Sequence, residues 1–79
     1  MTYEEIKSST KDFLVPADIA RVLGCSAYNI NLQVKEDKQN GINSFPFPTI
    51  LIRSRVKIPR IAFIRCMEGT KEEQENGNG

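Results

Sequence analysis

Tyr28, Asn31 and Lys35 lie three and four residues apart, and Arg53, Arg55 and Lys57 fall within one five-residue stretch. These are the residue types and spacings in the chain best suited to recognition chemistry. On a helix the first three share one face. An asparagine amide there can pair bidentately with N6 and N7 of adenine, and a lysine can neutralise a phosphate. Tyr28 suits a phosphate or base-edge contact and equally a ring packed on the helix surface. Ala27, at the start of the same helix, is small enough to meet a thymine methyl. Arg53, Arg55 and Lys57 can face one phosphate backbone together or send an arginine into a narrow minor groove. Charge on an edge strand also blunts it against further pairing, a reading that suits Lys57. Arg21 is placed for a phosphate contact if its helix crosses a backbone. Arg60, beside Pro59, suits pairing with an acid or contact with a helix terminus.

The elements that must carry these groups follow from short signals. Thr2 and Glu5 have the capping-box spacing, which predicts a short helix around Tyr3–Ser8. Pro16 suits a first helical turn, and Asp18 places negative charge at the positive end of the helix. Ile19, Val22 and Leu23 repeat at helical intervals and mark its inner face. Val15 stands at the N-cap, where a polar residue would be worth roughly 1 kcal/mol more. Ala20 lets a second helix cross closely, Gly24 supplies the left-handed turn, and Ser26 caps a helix from 27 to about 37 with Ile30 and Val34 inside. Residues 38–44 read as a loop with Asn40-Gly41 at its tightest point. Phe45-Pro46-Phe47-Pro48 holds an extended approach to strands 49–52 and 55–58, joined by Arg53-Ser54. Val56 and Ile58 point to one face of that hairpin and Arg55 and Lys57 to the other. Residues 60–67 read as a closing helix, and 68–79, with no apolar residue, as a disordered acidic tail. The expected divisions are therefore a segment over 1–12, a domain over 13–67 and a tail over 68–79. The expected fold is mostly α with a two-stranded β-wing, a winged helix-turn-helix.

Composition narrows the function classes. The chain has 79 residues, near the lower limit for a core without metal or disulfide. Two cysteines and no histidine make neither a zinc framework nor a disulfide scaffold, so no metal or cofactor is expected, and Cys25 and Cys66 read as small hydrophobes. With no Gly-rich phosphate loop and no activating base beside the cysteines, an enzyme is the weakest reading. No apolar run approaches a membrane span and the acidic start is unlike a signal peptide, so no membrane partner and a cytoplasmic location are expected. The net charge of +1 hides a division: residues 11–67 carry nine Lys/Arg against four acids, and residues 68–79 four Glu against one Lys. A basic body with an acidic end suits a polyanion partner, although a solvated charged face is the commoner explanation of such runs.

The ordered set Pro16, Ile19-Ala20, Leu23-Gly24-Cys25-Ser26, Ile30, Phe47-Pro48, Arg55-Val56-Lys57-Ile58-Pro59-Arg60 and Phe63 resembles the small excisionase-like, MerR-like DNA-binding proteins of phages and mobile elements. It covers about residues 13–67. Arg53 departs from the Gly often found at the wing turn, Ser44 or Phe45 falls where Gly is expected, and Gln33 replaces an aliphatic. The resemblance implies binding of double-stranded DNA by the recognition helix and the wing. The role is either an excision factor that bends DNA and recruits a recombinase, or a small transcriptional regulator. Cooperative binding to tandem sites would mark the first and a single operator the second. The acidic end suits a tether to a recombinase or polymerase, a competitor for the basic face, or a solubilising tail. Without a coiled-coil seam, a monomer in solution is expected. The alternative of another class is a winged-helix module that binds protein and no DNA.

Overall fold

The computed structural model describes the backbone of residues 1–76 and the side chains of residues 1–69. The elements run α1 (Tyr3–Ser8), β1 (Phe13–Leu14), α2 (Pro16–Leu23), α3 (Ala27–Asn40), β2 (Ile50–Ile52), β3 (Arg55–Pro59) and α4 (Arg60–Asn76). Thr2 caps α1 reciprocally: its hydroxyl accepts from the Glu5 backbone N–H at 3.2 Å and the Glu5 carboxylate accepts from its own N–H at 2.7 Å. Val15 offers α2 no side-chain acceptor. The gap is filled from inside the helix, where the Asp18 carboxylate accepts the Val15 N–H at 3.0 Å and pairs with Lys11 at 3.3 Å.

Gly24 adopts φ +72° and donates its N–H to the Ala20 carbonyl at 2.9 Å, which closes α2. Two residues later the Ser26 hydroxyl accepts from Asn29 N–H at 3.1 Å and opens α3. Ala20 is half-buried against the core, as a close helix crossing needs. α3 extends one turn beyond the expected end. Gly41, at φ +67°, donates to the Asp37 and Lys38 carbonyls, so the Asn40-Gly41 pair is a helix terminus and not the middle of a loop.

The sheet has three strands, and this corrects the expected two-stranded wing and mostly α class. The molecule is a small α+β domain with four helices and an antiparallel sheet in the order β1-β3-β2. Phe13 pairs with Pro59 and Leu14 with Ile58, while Ile50, Leu51 and Ile52 pair with Lys57, Val56 and Arg55. A two-residue strand has no alternation to detect, and its partner lies far along the chain. α4 also differs from expectation, because its backbone stays helical through Asn76, across the predicted start of the tail at 68. The helix is already nucleated on the core at Phe63, and Glu, Lys and Gln propagate it readily. Residues 77–79 of the predicted tail lie outside the described residues.

The core gathers Ile6, Leu14, Ile19, Ile30, Val34, Phe47, Val56, Ile58 and Phe63, so every described helix and two of the strands contribute. Phe47 is its hinge. Its ring stacks on Phe45 at 5.3 Å and meets Phe63 edge-on at 5.1 Å. Burying either of these two side chains contributes about 1.5–3 kcal/mol. The prolines on either side of Phe47 hold the chain extended there, with Phe47 buried and Phe45 partly buried against the core.

Candidate nucleic-acid interface

Ile30, Val34 and Asp37 fix the buried side of α3, and the register of that side decides what the rest of the helix presents. The β2–β3 hairpin lies beside the helix with its turn residue Ser54 between two shallow grooves. In the first, Ala27 and Asn31 of α3 face Arg55 of the hairpin, Ala17 of α2 and its N-cap residue Val15. In the second, Lys35, Lys38 and Gln39 face Arg53 and Leu51. The structure therefore brings five of the eight sequence-predicted residues to the seam between α3 and the hairpin: Ala27, Asn31, Lys35, Arg53 and Arg55.

Asn31 is half-buried and donates from Nδ2 to the Ala27 carbonyl at 3.1 Å. Its Oδ1 and second amide hydrogen remain for a ligand. Tyr28 is 70 % exposed, so its ring does not pack on the helix pair. Lys57 stands on the outer face of the sheet opposite Ile50 and lines neither groove. Arg21 is exposed on α2 but faces Thr2 and Tyr3 of α1, near enough to Glu5 to help lower its carboxyl pKa, an effect due chiefly to the Thr2 N–H. It belongs to another side of the molecule.

Three further residues were missed. Lys38 donates from Nζ to the Thr49 carbonyl at 2.8 Å and ties the last turn of α3 to the residue that leads into β2. Ending the helix at 37 removed it from view, and reading Gly41 as a C-terminal cap would have restored it. Leu32 is exposed on α3 one turn after Tyr28. Asp37 is 1 % exposed. Its carboxylate accepts from the Ser44 backbone N–H at 2.8 Å, the Ser44 hydroxyl at 2.9 Å and the Gln33 amide at 2.8 Å. The Ser44 N–H above all holds this carboxyl below its ordinary range, despite burial. Gln33, which stands where an aliphatic was expected, thus orients the group that anchors the 41–47 loop.

The cations divide by use. Lys7 pairs with Glu68 at 3.7 Å and Lys11 with Asp18. Arg60 donates to the carbonyls of Lys11, Ile6 and Lys7, closing the C-terminal end of α1, which is the helix-terminus contact its position suggested. Lys35, Lys38, Arg53, Arg55 and Lys57 make no ion pair among the described residues. The seam between α3 and the hairpin is therefore cationic, with one asparagine amide in its first groove. Comparison with family models, with curated proteins and with solved structures finds no match to this chain.

Proposed function

We propose that the chain binds double-stranded DNA as a winged helix-turn-helix, with α3 in the major groove and the β2–β3 hairpin as a wing along the adjacent backbone. One observation carries this reading: Lys35, Arg53 and Arg55 stand around the hairpin tip with no ion pair and no side-chain hydrogen bond among the described residues, while Lys7, Lys11, Lys38 and Arg60 make contacts within the fold. A polyanion recovers Coulomb energy from such a surface and releases its condensed counterions. Asn31 supplies the base-reading amide, Tyr28 and Ala27 line its approach, and Lys57 reaches the backbone from the outer face of the wing. Arg21, turned toward α1, stays outside this footprint.

The biological role follows as an excision factor or a small transcriptional regulator, acting by binding and not by catalysis, in the cytoplasm. No described helix is long and apolar enough to cross a membrane. The test is a titration of the full chain with random-sequence duplexes at two salt concentrations. Micromolar or tighter binding at low salt is expected, with a log–log slope of about −4 to −5 for four to six phosphate contacts. No binding at low salt, with capture of a protein partner by the same face, would replace the proposal with the interaction-module reading.

A further inference from the structure

We infer that α3 reads thymine through the exposed apolar pair Tyr28 and Leu32, an assignment that rests on the DNA-binding reading and gives it a base preference. The two side chains are 70 % and 48 % exposed and lie one helical turn apart, so they form one strip on the outer side of α3. Neither belongs to the core or to the partly buried residues packed against it. Among the described residues, Tyr28 and Leu32 are the exposed large hydrophobics that share one helix. The surroundings of the strip choose its occupant. Lys35 follows on the same helix, and Arg53 and Arg55, with no ion pair among the described residues, line the two grooves on the hairpin side of α3, so cations suited to phosphates border the strip on that side. In a major groove the one apolar group that a base pair presents is the C5 methyl of thymine. Ala27, which the sequence suggested for that methyl, is half-buried between Val15 and Arg55, and the contact passes to the residues one and five positions on.

The experiment starts from duplexes enriched on the full chain from a random pool at low salt, then rebuilt with deoxyuridine for thymidine. That exchange removes methyls and leaves every pairing group in place. The wild-type chain should lose about three- to fivefold in affinity for each methyl it contacts. Tyr28→Ala and Leu32→Ala, both surface changes checked for folding by circular dichroism, should each shrink the difference between the two duplexes and leave the salt slope unchanged. Equal binding of both duplexes by the wild type, or an undiminished difference in the double variant, overturns the inference and leaves DNA binding intact. An enriched pool without thymine preference does the same. Failure to bind any duplex, with the two substitutions changing self-association instead, overturns both.

Discussion

Arg53 turns the hairpin with φ +59°, a left-handed conformation that costs a residue with a Cβ roughly 1–2 kcal/mol. Glycine would hold the same turn without strain, so the cation at this position carries a backbone cost. Arg53→Gly should therefore raise unfolding stability by about 1 kcal/mol in urea titration and lower the salt slope of DNA binding by about one. A variant that gains stability and binds DNA as before would remove Arg53 from the interface. Asn31 and Arg55 share a groove but differ in chemistry. Asn31→Ala should relax preference among sequences by about 1–3 kcal/mol, whereas Arg55→Ala should weaken binding to all of them alike. Competition between selected and random duplexes separates the two effects. Identical profiles for both variants would contradict the docking.

At the scale of elements, two joints set where α3 lies. Gly24 joins it to α2, and a Cβ built there meets no atom within 4 Å. The cost of Gly24→Ala is thus backbone strain alone, about 1 kcal/mol of stability by thermal or urea unfolding, and an unchanged midpoint would show that the turn relaxes. Asp37 joins the other end to the 41–47 loop through Ser44 and Gln33. Its folded pKa lies below the ordinary value of 3.8, so its contribution is present above that value and fades as pH falls through the lowered one. The melting temperature should drop as the solution is acidified below about pH 4, and Asp37→Asn should lose this part of the acid dependence while melting lower at neutral pH. Glu5, lowered by its cap to Thr2, adds to the wild-type slope in the same direction. If Asp37→Asn keeps the full acid slope, the loop anchor is assigned to the wrong carboxylate.

Across the whole molecule, Arg60 connects parts that are remote in sequence. It sits at the start of α4, and its guanidinium reaches the Lys11 carbonyl, 49 positions away, as well as the last carbonyls of α1. Opposite it, Lys7 lies 5.5 Å from the Tyr3 ring centroid and pairs with Glu68, tying α1 to α4 a second time. Burial and then the Glu68 charge push the Tyr3 hydroxyl pKa up. Arg60→Ala should reduce hydrogen-exchange protection in residues 3–8 and leave DNA affinity nearly unchanged, because none of these contacts touches the α3–hairpin seam. Loss of DNA affinity without loss of protection would place Arg60 in the interface.

Local rules, acting over a few neighbours, were readable directly. The Thr2–Glu5 cap, the α2–turn–α3 unit around Gly24 and Ser26, the Arg53-Ser54 hairpin and the inward side of β3 each depend on residues within about one or two turns of each other. The same short range explains what stayed hidden. β1 exists because β3 is beside it, Asp37 is buried because the 41–47 loop folds back over it, and Arg60 serves α1 because the sheet brings the two together. The sorting of cations into those that hold the fold and those left exposed is of this second kind. A charge run in a sequence has no partners, and only packing decides which of its members find an acid or a carbonyl and which face the solvent.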